Sequence, residues 1–169
     1  MKSDRYTPAG VMRHFFALLF WVAGLCGMTF VMIGLLAGLA GAQSHAILHK
    51  DGKACAAAFD DAVKVNIRPE LRKKLAPIVA AIRYAENGGK GKEYGILHPR
   101  VKPTYRSQAG WCAATVQKTW DRWHKAGCPG PDFIAYLGKR YCPIGADNDP
   151  KGLNKHWTKN VRHFYAKFK

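Results

Sequence analysis

Residues 71–89 read LRKKLAPIVAAIRYAENGG, and this stretch decides the fold of the chain. Its apolar residues recur at the spacing of one helical face, namely Leu71, Leu75, Ile78, Val79 and Ile82. Pro77 either kinks this helix or begins a second one. Glu86 continues the apolar face, and the following Asn87-Gly88-Gly89 is a helix stop. The stretch therefore predicts a buried helix that ends in a carboxylate.

Helical patterns also dominate the sequence after this stretch. They predict a helix over 108–125, a short one that Asp132 caps and that runs to Tyr141, and a last one over 157–168. The fold class is thus mainly α. Residues 90–105 are broken by glycines and prolines, which favours loops or a small hairpin. The polar stretch before the quoted segment, residues 43–66, predicts one short helix around 55–64.

An uncharged, mostly apolar segment of 28 residues precedes the helical part, from Phe15 to Ala42. A helix of that length rises roughly 42 Å, more than the ~30 Å hydrocarbon core of a membrane requires. Residues 1–14 carry three basic residues against one acidic residue, which places them in the cytoplasm. The sequence predicts a cytoplasmic lead over 1–14, a single inner-membrane span or uncleaved signal over 15–42, and an exported domain over 43–169 in the periplasm.

Two other interpretations of the apolar segment remain open. Ala40-Gly41-Ala42 fits the small-x-small pattern of a signal-peptide cleavage site, so the domain could be released after Ala42. The segment's glycines and Cys26 are also compatible with the signal-anchor-release segments of some phage endolysins. Each interpretation exports residues 43–169.

The composition excludes a disordered chain, and the charge indicates the kind of partner. The hydrophobic fraction of 48% and the aromatic fraction of 12% exclude an intrinsically disordered chain. The formal net charge of +16 divides into +2 on the lead and +14 on residues 43–169. An anionic partner is therefore expected outside the cytoplasm. Export argues against nucleic acid in that role.

The exported domain contains four cysteines, Cys55, Cys112, Cys128 and Cys142. An even number in an oxidising compartment predicts two disulfides, although three pairings are possible. No pair has the spacing of zinc ligands, and no histidine joins them at such a spacing, so we expect no metal site. Walker-type glycine spacing is absent as well, and no cofactor is expected.

Glu86 is the residue whose position indicates chemistry. It is one of three glutamates, the others being Glu70 and Glu93. The negative end of the helix dipole and the apolar face both favour its protonated form, so we expect a raised pKa. A general acid that works near neutral pH requires such a shift. The competing interpretation is that Glu86 is simply the first solvated residue after the helix.

The run from Ala81 to Gly89, AIRYAENGG, resembles the helix-end signature of soluble lytic transglycosylases and goose-type lysozymes, in which the helix ends in Glu-Ser-Gly. Tyr94-Gly95-Ile96 resembles part of the family's next segment, and residues 133–141 resemble its later helix ending in Tyr-Asn-x-Gly. The chain departs from the family at Asn87, in place of Ser, and at Cys142, in place of Asn.

This resemblance implies a lysozyme-like helical domain with a small β or loop wing. It implies a peptidoglycan-cleaving muramidase or lytic transglycosylase that acts on the β-1,4 bond after N-acetylmuramic acid. Glu86 would be the catalytic acid and base, and Tyr94, Tyr141 and Glu93 are the expected substrate-binding residues. In the lytic route one carboxylate suffices, because the muramoyl 6-hydroxyl closes onto C1. The expected setting is the cell wall of a bacterium, with secretion or phage-lysis machinery as possible partners.

Hydrolysis with inversion would instead require a second carboxylate as base. Glu93, Asp147 and Asp149 are the candidates, but Glu93 could equally pair with a nearby lysine, and Asp149 could cap a turn or the last helix. Several aromatic residues could line a sugar groove: Tyr84, Tyr94, Tyr105, Trp111 and Tyr141. Trp120, Trp123 and Trp157 lie on apolar stripes and are expected to pack in the core.

A second class of function competes with the enzyme. A membrane-tethered module that binds cell-wall polymers or other polyanions without catalysis would use the same positive charge and the same aromatic residues. A Glu86 buried beside a cleft favours the enzyme, whereas a fully exposed Glu86 favours the binding module.

Overall fold

A computed structural model describes residues 41–86 and 88–169, so the predicted cytoplasmic lead, most of the predicted membrane segment and Asn87 lie outside the described residues. Gly41–Lys169 form one compact unit. Helices account for most of it, which confirms the mainly α prediction. No helix within the described ranges is long and apolar enough to cross a membrane.

Six α-helices and two short 3-10 turns make up the described part of the chain. The α-helices are α1 (Gly41–Asp51), α2 (Lys53–Asn66), α3 (Arg72–Ala85), α4 (Tyr105–Lys125), α5 (Phe133–Tyr141) and α6 (Trp157–Phe168). The 3-10 turns, Pro69–Leu71 and Leu153–His156, lead directly into α3 and α6.

Helix α3 is the centre of the domain. Every residue from Leu75 to Arg83 is buried, which is typical of a helix surrounded by other elements. It packs chiefly against α6 and α4, while α2 packs against α4 and α1. The helix continues through Pro77, so the structure has one helix and not two here. Pro77 removes the backbone bond to the Lys73 carbonyl and its ring crowds that carbonyl, yet the buried helix continues through it.

One sequence prediction about residues 43–66 is wrong. The sequence predicts one short helix there, but α1 and α2 occupy nearly all of that stretch. Tertiary contacts hold α1: Ile47 is fully buried, and the Tyr84 hydroxyl donates to the Ala46 carbonyl at 2.8 Å.

The wing between α3 and α4, for which the sequence left β structure or loops open, is a loop, since its described residues contain turns and no strand. Glycines and prolines there prevent a paired ladder.

The four cysteines of the described part are free thiols, so the prediction of two disulfides is wrong. Cys112 is completely buried on α4, whereas Cys128 is exposed just beyond the end of the same helix. Burial raises the pKa of Cys112 to about 12 and that of Cys142 to about 11. Both therefore remain protonated near neutral pH and are poor nucleophiles for disulfide exchange.

Candidate functional site

Glu86 lies directly after the last residue of α3 and is partly buried. Its backbone N–H still donates to the Ile82 carbonyl at 2.8 Å, but its ψ of 118° turns the chain out of the helix. The side chain thus points from the end of the buried helix and not from an exposed helical face. This position agrees with the sequence expectation of a carboxylate that ends an apolar stripe.

A tryptophan from the last helix holds the Glu86 carboxylate. Trp157 Nε1 donates to Glu86 Oε1 at 2.9 Å across 71 residues of sequence. Burial raises the pKa of Glu86, and the bond from Trp157 opposes that rise because it stabilises the charged form. The net direction is the one that the sequence predicts. The sequence assigned Trp157 to core packing alone and gave no sign of its bond to Glu86.

Gly95 forms the opposite wall against the Glu86 carboxyl group. A β-carbon at this position would lie 2.6 Å from the carboxyl carbon of Glu86, so only glycine leaves room for it. The φ of Gly95 is +68°, which also favours glycine. Gln108 fixes the segment around it: its Oε1 accepts from the Tyr94 and Ile96 N–H groups at 3.3 Å, and its Nε2 donates to the Ile96 carbonyl at 2.8 Å.

A buried ion pair supports the backbone of Glu86. Arg83 binds both carboxylate oxygens of Asp51, through Nε at 2.9 Å and Nη2 at 2.6 Å. Its Nη1 donates to the Glu86 carbonyl at 3.0 Å. The side chains of Arg83 and Asp51 are only 9% and 10% exposed. The pair was not predicted, because its members are 32 residues apart and the sequence does not show which charges meet.

A groove of about 460 Å³ opens beside this assembly. Gly95 and Tyr141 line it. Glu86 is not itself a lining residue, but Gly95 lies against its carboxyl group and Tyr141 packs on Trp157, the donor to Glu86. The remaining lining residues are Ile96, Leu97, His98, Trp111, Thr115, Arg140 and Asn148. Of the aromatic residues proposed for a sugar groove, Trp111 and Tyr141 therefore lie in it. The ring of Tyr141 is stacked on that of Trp157, with centroids 5.3 Å apart, and its hydroxyl donates to the Tyr94 carbonyl at 2.6 Å.

Two predicted substrate-binding residues have other positions. Tyr94 is fully buried, and its hydroxyl lies 3.1 Å from the hydroxyl of Tyr105, so its side chain belongs to the core. Glu93 is buried as well, and its Oε1 accepts from the Gly91 N–H at 2.8 Å. Neither side chain is available to a ligand in this conformation. In a loop without periodicity, the sequence does not indicate which residues point inward.

The other two candidate bases, Asp149 and Asp147, have different surroundings. Asp149 accepts from the Leu153 and Asn154 N–H groups at 2.7 and 2.9 Å, so it caps the 3-10 turn before α6, one of the alternatives that the sequence left open. Asp147 is exposed.

Tyr84 bonds to α1 and packs on Phe164 and Phe168, which makes it a core residue. No group of three or more metal-ligating side chains occurs among residues 41–86 and 88–169.

The comparisons with known proteins give no assignment. No protein family, curated protein or solved structure matches the chain. The candidate site therefore rests on its own geometry.

The bond between Trp157 and Glu86 makes a testable prediction about pH. We expect Trp157→Phe to raise the pKa of Glu86 further, because the substitution removes a donor that stabilises the carboxylate. The chain has only three glutamates, so carboxyl-labelled glutamate gives three NMR signals to titrate. Trp123→Phe is the matched control, since Trp123 Nε1 donates to the Pro129 carbonyl instead. An unchanged Glu86 titration in Trp157→Phe would contradict the assigned cause.

Proposed function

We propose that residues 43–169 form a lysozyme-like domain that cleaves the β-1,4 bond after N-acetylmuramic acid in peptidoglycan. One observation carries the proposal. Glu86, whose pKa burial raises, ends the central helix between the Trp157 indole and Gly95, next to an open groove with exposed aromatic surface. A raised pKa increases the fraction of Glu86 that carries a proton, and a general acid for the leaving oxygen of a glycosidic bond needs that proton.

Glu86 acts first as acid and then as base. It protonates the leaving oxygen while the muramoyl ring becomes oxocarbenium-like. The resulting carboxylate next removes the proton of the muramoyl 6-hydroxyl, which attacks C1 and gives a 1,6-anhydro product. Of the three candidate bases for hydrolysis, Glu93 and Asp149 are already bonded to backbone N–H groups, whereas Asp147 is exposed. The bonds of Glu93 and Asp149 support the lytic transglycosylase route, which needs one carboxylate.

The cellular setting in the proposal follows from the sequence. Residues 1–14 remain in the cytoplasm, 15–42 attach the chain to the inner membrane or serve as its signal, and 43–169 act in the periplasm. The charge of +14 on the exported part suits a wall that carries acidic stem peptides. Secretion or phage-lysis machinery would be the partner that directs such an enzyme.

Digestion of purified sacculi tests the proposal. We expect the full-length protein in detergent to release soluble muropeptides, and mass spectrometry to find most of them one water lighter than the products of hydrolysis. Products with reducing ends would show that the enzyme hydrolyses the bond and does not follow the lytic route. Binding to sacculi without release of any fragment would overturn the enzymatic function and favour the non-catalytic binding module.

A further inference from the structure

The groove beside Glu86 contains an aromatic platform formed by His98 and Trp111. The rings of His98 and Trp111 are stacked, with centroids 5.4 Å apart and planes 23° apart. His98 Nδ1 accepts from the Arg100 N–H at 3.2 Å, which fixes the orientation of the imidazole. Trp111 is nevertheless 39% exposed, whereas Trp120 and Trp157 are buried. Exposed aromatic surface of this kind suits the apolar face of a sugar ring.

Arg140 lines the same groove and is exposed. Five other arginines of the domain are engaged by their own chain: Arg68, Arg83, Arg106 and Arg162 pair with aspartates, and Arg72 donates to two backbone carbonyls. Arg100 and Arg122 have no such bond within the described residues, but neither lines the groove. Within residues 41–86 and 88–169, no carboxylate lies within 4.0 Å of Arg140. Its guanidinium is therefore free to bind an external carboxylate in the two-bond geometry that arginine favours.

The platform and the guanidinium share one groove with Tyr141 and with Gly95, which lies against the Glu86 carboxyl group. A sugar on Trp111 would thus be held near the proposed acid. In a neutral glycan of N-acetylglucosamine nothing would engage Arg140, whereas a muramoyl residue carries a carboxylate on its lactyl group or on its stem peptide. Charge complementarity therefore distinguishes the two kinds of polymer in this groove.

We propose that Trp111 and Arg140 form a subsite for the acidic muramoyl residue, in which the indole supports the sugar ring and the guanidinium binds the carboxylate of its substituent. The inference rests on the proposed function and deepens it, because it names the part of the substrate that the groove recognises. It assigns to Arg140 the selection of peptidoglycan over neutral chitin-type glycans.

Binding measurements on full-length protein carrying Glu86→Gln test the subsite without turnover. The probes are glycan strands with stem peptides, strands stripped of peptides that keep the lactyl carboxylate, and neutral chitooligosaccharides. We expect Arg140→Gln to weaken binding of an acidic strand by at least about tenfold and to leave the neutral oligosaccharide unchanged. If Arg140→Gln loses affinity for the stripped strands, Arg140 binds the lactyl carboxylate. If it loses affinity only for the intact strands, Arg140 binds the stem peptide. Trp111→Ala should weaken all three probes.

The controls separate this inference from the function itself. Arg122→Gln removes the same charge from an exposed position near the end of α4 and should change none of the affinities. Arg140→Lys keeps the charge without the two-bond geometry. Its affinity for the acidic strands should lie between that of Arg140→Gln and that of the parent. The subsite would be overturned if Arg140→Gln lost equal affinity for the neutral and acidic probes, or lost no affinity for either. This result would stand even if the parent enzyme still cleaved sacculi. Failure of the parent enzyme to cleave sacculi would overturn the proposed function instead.

Discussion

Glu86→Gln is expected to lower the release of muropeptides from sacculi by about 10²- to 10⁴-fold, the usual contribution of general acid catalysis. The amide keeps the size of the side chain and an oxygen that can accept from Trp157 Nε1, but it has no proton to deliver to the leaving oxygen. The decrease should appear in the rate at saturating substrate, because the substitution removes a step of chemistry and not a contact with the sugar.

Glu70→Gln is the matched control for this substitution. Its carboxylate is 65% exposed and pairs only with a similarly exposed Arg68. The same chemical change there should leave the rate unaltered. Wild-type rates in Glu86→Gln would refute Glu86 as the acid and, with it, the mechanism proposed for the domain.

The melting temperature of Glu86→Gln shows whether a lower rate reflects the loss of the acid or the loss of the folded state. The pKa of Glu86 is raised in the folded state, so this state binds the proton more tightly than the unfolded chain does. Ionised Glu86 consequently destabilises the fold, and that cost grows as pH rises from the unfolded pKa through the folded one. The amide of the Glu86→Gln variant does not titrate. We expect this variant to melt at or above the wild-type temperature at neutral pH, and the difference to vanish below about pH 3, where both states of the wild type hold the proton.

Arg83→Ala is expected to lower the free energy of unfolding by about 3–5 kcal/mol, as measured by urea denaturation. The substitution leaves the Asp51 carboxylate buried without its partner and frees the Glu86 carbonyl from its donor. Replacing both members, Arg83→Met with Asp51→Asn, should restore part of this loss, because no uncompensated charge then remains buried.

Arg106→Ala provides the comparison for the buried pair. Arg106 Nη1 lies 2.7 Å from Asp61 Oδ2, a distance close to that of the buried pair, but the two side chains are 69% and 52% exposed. Water screens such a pair, and its loss should cost no more than about 1 kcal/mol. Equal costs for Arg83→Ala and Arg106→Ala would show that burial does not strengthen the contribution of Arg83.

Local patterns in the sequence predicted the central helix, the short helix after Asp132 and the last helix, because their apolar residues repeat with the helical period. Helix α1 was missed because its pattern is weak and its stability comes from contacts with α2, α3 and α6. Gln43 Nε2, for example, donates to the Phe168 carbonyl 125 residues away. Such a contact has no local signature.

The sequence predicted three residues of the candidate site: Glu86 and two aromatic residues of the groove, Trp111 and Tyr141. Glu86 is distinctive because it ends an apolar stripe in a chain with few carboxylates. Trp157, Arg83 and Gln108 act through partners distant in sequence, and each is also a normal residue of an amphipathic helix. The errors at Tyr94 and Glu93 have one cause: adjacent residues of an irregular loop can both be buried, and composition does not reveal it.

The hydrogen bond from Trp157 also orders events during synthesis. Helix α6 follows every other element of the described domain, and it supplies both the donor to Glu86 and much of the surface packed on α3. A nascent chain that has passed residue 141 already contains Glu86, Gly95 and the residues of α5, but the surroundings of the carboxyl group are incomplete until α6 docks. The surroundings of the candidate site are therefore complete only after α6 has been synthesised and has packed on α3.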